Sequence, residues 1–130
     1  MIGLDTNVLV RYLTQDDPEQ ASRAERIIEG CSKEEPGHIA LIILCELVWV
    51  LRGAYNYEKR LLIRVLEQIL STRELQVEAE HIARAALAAY SKGTADFADY
   101  VIVSSNRIAG CEKTYSFDKK LAQHPQVLIP

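Results

Sequence analysis

The sequence predicts an α/β fold, a mostly parallel sheet covered on both faces by helices. Two observations predict it. Short apolar runs that suit buried strands alternate along the chain with longer runs of helical period. The connections between them are short and punctuated by Pro and Gly, without a repeat, a low-complexity tract or a Gly/Ser linker. With 130 residues, a single domain over 1–130 is expected, large enough to bury its core without disulfides or a structural metal.

Ile2 to Leu4 reads as a short buried strand, and Thr6 to Leu13 as a short helix with Val8, Leu9, Tyr12 and Leu13 at apolar positions. Asp5 falls at their junction. Asp17-Pro18-Glu19-Gln20 is a helix start: Asp17 can cap, Pro18 suits the first turn, Gln20 can complete a capping box, and Gly30 stops the helix. His38 to Leu41 is a second strand. The run from Ile43 to Ala54 is too long for an ordinary strand and reads as a buried helix with Glu46 on an early turn.

Asn56 is expected to cap the next helix, which carries Leu62, Val65, Leu66, Ile69 and Leu70 on one stripe. Leu75 to Val77 is a short strand, and Ala79 to Ser91 an alanine-rich helix ended by Lys92-Gly93. Asp96 to Ile108 forms another, with Asp96 as its cap and Asp99 in its first turn. Lys113 to Phe117 is a strand closed by Asp118, Lys119 to Ala122 a helical turn, and Val127 to Ile129 the last strand.

Composition narrows the function classes. With 48% hydrophobic and 25% charged residues, neither disorder nor a fibrous architecture is indicated. Cys31, Cys45 and Cys111 are odd in number and lack CxxC spacing, which reads as reduced packing residues in a cytoplasmic protein. Met1 leads straight into Ile2-Gly3-Leu4-Asp5, so no signal peptide is expected. The longest nearly uncharged run, Ile39 to Leu51, is far shorter than the roughly 20 residues that span a bilayer, and no membrane association is expected. A formal net charge of -3 argues against holding nucleic acid by bulk electrostatics; such a role needs a local positive source, such as a bound metal.

Four carboxylates stand in costly places. Asp5 and Asp118 each follow a strand, which in a parallel sheet places them on one rim, where sites form. Glu46 is the only charge among the thirteen residues from Ile39 to Leu51 and must be paired with a cation, with a proton, or with an arginine such as Arg11, Arg52 or Arg107. Asp99 sits between Ala98 and the apolar Tyr100-Val101-Ile102-Val103, in a first helical turn that points back toward the sheet rim. Carboxylates held close repel one another unless their pKa values rise or a divalent cation joins them, and oxygen donors without clustered His or Cys suit magnesium or manganese.

Each acid also has a plainer reading. Asp5, Asp96 and Asp118 could simply cap the helix or turn that follows them, and Thr6-Asn7 could be turn chemistry. His38, His81 and His124 share no metal-ligand spacing and receive no role. Lys59, Arg60 and Arg64 most simply solvate an exposed helix face.

Four blocks now stand in order: Ile2-Gly3-Leu4-Asp5-Thr6-Asn7-Val8-Leu9-Val10-Arg11, Glu46-Leu47-Val48-Trp49-Val50-Leu51, Ala95-Asp96-Phe97-Ala98-Asp99-Tyr100-Val101-Ile102 and Tyr115-Ser116-Phe117-Asp118. Together they resemble the PIN-domain family, and its VapC-like toxin ribonucleases in particular, over the whole chain. The resemblance implies a three-layer α/β/α sandwich. It implies Asp5, Glu46, Asp99 and Asp118 as the acidic quartet around one or two Mg2+ or Mn2+ ions, with Asp5 and Asp99 as direct ligands. Thr6, Asn7 and Ser116 would support the quartet by hydrogen bonds, with Asp96 as a secondary acid. Ser116 stands where many relatives have threonine and keeps the hydroxyl.

The same resemblance implies an endoribonuclease acting in the cytoplasm as a homodimer, leaving a 3′-hydroxyl and a 5′-phosphate, and silenced by a cognate antitoxin whose tail fills the groove. Arg11, Lys59 and Arg64 are candidates for touching RNA. Loss of quartet members would instead leave a silent RNA- or protein-binding module. A haloacid-dehalogenase phosphatase is excluded because Asn7 stands where it needs a second aspartate, and a receiver domain because the adjacent acids after the first strand are missing.

Overall fold

The computed structural model describes residues 1–130, which divide into two compact units, Met1–Glu78 and Ala79–Pro130. The first runs β1 (Ile2–Gly3), α1 (Thr6–Thr14), α2 (Pro18–Glu29), β2 (Gly37–Ile39), α3 (Leu41–Tyr55), α4 (Lys59–Ser71) and β3 (Leu75–Val77). Its strands pair in the order β1-β2-β3, all parallel, with Gly3 opposite His38 and Ile39 opposite Val77. Strand–helix alternation thus produces the parallel pairing that it predicts.

Central β2 is the tightest place in this sheet. A methyl group on Gly37 would lie 2.8 Å from Leu4 Cδ1 and 3.2 Å from Cys31 Sγ, so any larger residue would push the Leu4 side chain aside. Below them α3 buries Leu44, Leu47, Val48 and Leu51, and α4 buries the predicted stripe of Leu62, Val65, Leu66, Ile69 and Leu70. Cys31 and Cys45 are buried free thiols, as packing residues should be, whereas Cys111 is exposed.

Capping sets the element boundaries. Asp17 caps α2 by accepting the Gln20 N–H at 3.1 Å. The reciprocal half of the expected capping box is absent, because the Gln20 side chain turns to accept from Arg11 Nε at 2.7 Å. Asn56 does not start α4. It ends α3 in the left-handed conformation, φ 57°, which Asn tolerates better than most residues, and α4 begins three residues later at Lys59.

The second unit comprises α5 (Glu80–Lys92), α6 (Phe97–Ile108), β4 (Thr114–Tyr115), a 3₁₀ turn (Leu121–Gln123) and β5 (Val127–Leu128). β4 and β5 pair in parallel, with Thr114 opposite Val127. Small residues let α5 and α6 approach closely: Ala83 and Ala86 are fully buried, and Tyr90 meets Phe97 edge-on at 5.8 Å between ring centroids. No helix is long and apolar enough to cross a membrane.

Candidate functional site

In the first unit, Asp5 occupies the N-cap position of α1 in extended conformation, yet its carboxylate makes no cap hydrogen bond and stays exposed. The plain capping reading of Asp5 therefore fails for its side chain, whose oxygens remain available to a ligand. Thr6 is buried, 7% exposed, so the turn-chemistry reading of that position also gives way. Its hydroxyl donates to Glu46 Oε2 at 2.9 Å, fixing the carboxylate of α3 against the head of α1. Asn7 follows, exposed, in the first turn of α1.

Glu46 is half-buried on the second turn of α3, and its partner is a hydroxyl, not a guanidinium. Arg11 is engaged elsewhere: it donates to Gln20 and, at 3.1 Å, to Tyr55 Oη, and it lies 3.5 Å from Asp16. Tyr55 in turn donates to Asp16 at 2.6 Å. These contacts hold the Asp16 carboxyl below its usual range, first through the Tyr55 hydroxyl and then through Thr14; burial opposes them, and the Arg11 charge lowers it further by a smaller amount.

In the second unit, Asp96 and Asp99 form a reciprocal capping box at the head of α6, in which the Asp96 N–H donates to Asp99 Oδ2 at 3.3 Å. Asp96 is thus a cap, as its position predicted. Burial raises the Asp99 carboxyl above the ordinary range; repulsion from Asp96 and Asp118 adds to this, and the Asp96 N–H opposes it. No lysine or arginine pairs with Asp99 to offset that cost.

Asp118 is exposed. Its Oδ1 accepts from the N–H groups of Lys120 at 2.8 Å and Leu121 at 3.3 Å, so it does cap the following turn, leaving Oδ2 without such a bond. The Ser116 hydroxyl accepts the Asp118 N–H at 3.0 Å and so fixes the backbone that carries this acid. Lys59 and Arg64 lie exposed on α4.

One supporting residue was invisible in the motifs. Tyr100 Oη accepts the Ala95 N–H at 3.2 Å and rests where a methyl group on Gly93 would lie 1.8 Å away, so Gly93 and Tyr100 together place the loop that leads into Asp96 and Asp99. The signal was present only as a glycine, which reads from sequence as a helix stop.

The candidate acids and the hydroxyls of Thr6 and Ser116 all offer oxygen, the donor type of magnesium and manganese. No three His, Cys, Asp or Glu side chains already form a metal cage. Magnesium does not need one, since it keeps most of its water and is commonly held by one or two carboxylates. Charge repulsion at Asp99 without a positive partner is the condition that a divalent cation relieves.

Residues 2–126 match the family model of the PIN domain. Over 118 residues the chain is 29% identical to the VapC ribonuclease of Aquifex aeolicus (strain VF5), an alignment that covers 90% of this chain and 87% of that relative.

Proposed function

The chain belongs to the PIN-domain family, and on that premise we propose that it is a Mg2+- or Mn2+-dependent endoribonuclease, the toxin of a VapBC-type pair. Residues 1–130 act in this reading as a single domain. Asp5, Glu46, Asp99 and Asp118 hold the cation, with Asp5 and Asp99 as direct ligands. The observation that carries it is Asp99, a carboxylate made costly to ionise by burial and by Asp96 and Asp118, with no basic partner.

A bound divalent cation would polarise a phosphate oxygen and lower the pKa of a coordinated water, which is the chemistry that phosphodiester hydrolysis lacks at neutral pH. This chain's residues do the positioning. Thr6 holds one oxygen of Glu46 and so orients the other. Ser116 fixes the backbone at Asp118, the two N–H groups that follow hold one oxygen of its carboxylate, and the capping box fixes Asp99 at a helix head whose dipole favours negative charge.

The resemblance to a VapC ribonuclease supports RNA as substrate and a cognate antitoxin as partner. Ile42 and Trp49 on the first unit, and Ile102 and Phe117 on the second, are exposed apolar side chains of the kind that a second copy or an antitoxin covers. Homodimer formation and a cytoplasmic location belong to the same proposal.

The decisive experiment is cleavage of a mixed cellular RNA pool by purified protein with Mg2+ or Mn2+, against EDTA and an Asp5→Asn chain, with every new end mapped. Ends carrying a 5′-phosphate that require both metal and Asp5 are expected. A folded, antitoxin-free wild type that leaves the pool intact would point instead to a silent binding module.

A further inference from the structure

An open groove of about 790 Å³ runs between α1 and α2 of the first unit, and its charge is opposite to that of the chain. Three arginines line it, Arg11 from α1 and Arg23 and Arg26 from α2, with the amides of Asn7 and Gln20 beside them. No acid does, although the chain carries a net charge of -3 and α2 itself contains Glu19, Glu25 and Glu29. Arg23 and Arg26, three residues apart, share one face of α2; Glu25 falls off it, and Glu19, one turn before Arg23, is exposed and does not line the groove.

We propose that this groove is the track on which the RNA backbone lies as it approaches Asp5, with Arg23 and Arg26 as its phosphate-binding residues. The inference rests on the ribonuclease reading. Its direction is set by the chain, because Asn7 lines the groove and stands two residues after Asp5, whose carboxylate is exposed and makes no cap bond.

The three arginines are not equivalent. Arg11 is held by Gln20, Tyr55 and Asp16, and serves as the fixed wall of the groove. Arg23 touches only the exposed Glu19, at 4.0 Å, a contact weak enough to exchange for a phosphate, and Arg26 is exposed. Val8 and Ile27 add an apolar strip but no aromatic ring lines the groove, so affinity comes from phosphate contacts and not from base stacking. Such binding releases counterions and falls steeply with salt.

The test measures binding apart from cleavage. A fluorescent single-stranded RNA of mixed sequence is titrated in EDTA with the full chain and with an Arg23→Gln/Arg26→Gln double variant, at several salt concentrations, by anisotropy. We expect a loss of about tenfold or more in affinity, and a log–log salt slope shallower by about 1.4, at about 0.7 per phosphate contact on a single strand. A Lys33→Gln/Arg73→Gln chain, with the same charge change outside the groove, should bind like wild type. Unchanged affinity in the groove variant, or an equal loss in the control, would overturn the proposal. So would a fluorescent hexa-aspartate peptide that binds wild type more tightly than the RNA, which would assign the groove to an acidic protein segment. Arginine-dependent RNA binding in EDTA without any metal-dependent cleavage would retain the track and count against the nuclease reading alone.

Discussion

Thr6 and Glu46, forty residues apart, are joined by a hydrogen bond of 2.9 Å from the threonine hydroxyl to Oε2. It is the one contact that satisfies the buried hydroxyl of Thr6, and it leaves Oε1 of Glu46 without a hydrogen bond. Thr6→Val should therefore lower metal-supported cleavage by about 10–100-fold, the usual effect of losing a residue that orients a ligand. Thr6→Ser, which keeps the hydroxyl, should restore most of it. Comparable activity in the valine and serine chains would show that the bond orients nothing.

Asp5 and Asp118 are separable by their stability effects. Asp5 makes no cap bond, so Asp5→Ala should abolish cleavage and change stability by no more than a few tenths of a kcal/mol. Asp118 caps two N–H groups, so Asp118→Ala should cost about 1 kcal/mol in addition to activity. Urea unfolding of both variants, in EDTA, measures the difference; equal costs would contradict it.

Asp99 sets a pH dependence whose sign follows from its environment. The folded carboxyl titrates above its ordinary value of 3.8, mainly because burial disfavours the charged form. The unfolded chain ionises first as pH rises, so the folded state carries a penalty at neutral pH that fades on acidification through the raised pKa and is gone below about 3.8. Asp99→Asn removes the charge yet keeps an oxygen for the Asp96 N–H. It should unfold at higher temperature than wild type at pH 7, by less than about 1 kcal/mol, and converge with it in acid, while losing cleavage. A lower melting temperature at pH 7 would sink this account.

Gly93→Ala tests the support behind the α6 head. Its new methyl group would collide with the Tyr100 hydroxyl, which must move off the Ala95 N–H. A loss of about 1–3 kcal/mol is expected, with weakened cleavage because Asp96 and Asp99 follow directly. Pairing it with Tyr100→Phe, which removes the clashing oxygen, should recover part of the stability; thermal melts of the three chains decide the matter.

Periodicity carried most of the element assignment. The stripe from Leu62 to Leu70 and the strand Leu75–Val77 follow from apolar spacing, because one face of each must leave water, and the capping position of Asp17 follows from the Asp-Pro helix start. Asn56 was misread because an asparagine suits both a helix start and a left-handed helix end; the choice depended on how far α3 could continue. Gln20 was legible as a capping residue but found a stronger partner in Arg11, nine residues earlier in the chain and on another helix.

By itself the sequence determined the α/β class and the parallel pairing and singled out the acids as candidates, because hydrophobic period and the cost of charge in apolar runs are local properties of the chain. Only tertiary structure decided what each acid does with its oxygens. Asp5 leaves its cap unmade, Asp118 makes one, Asp96 and Asp99 share a box, and Glu46 answers to Thr6 in place of an arginine. Likewise, Arg23 and Arg26 join Arg11 around one groove only once α1 and α2 pack. Hydrogen bonds and fields act across a few ångströms of space, and residues that share that space need not be near in sequence.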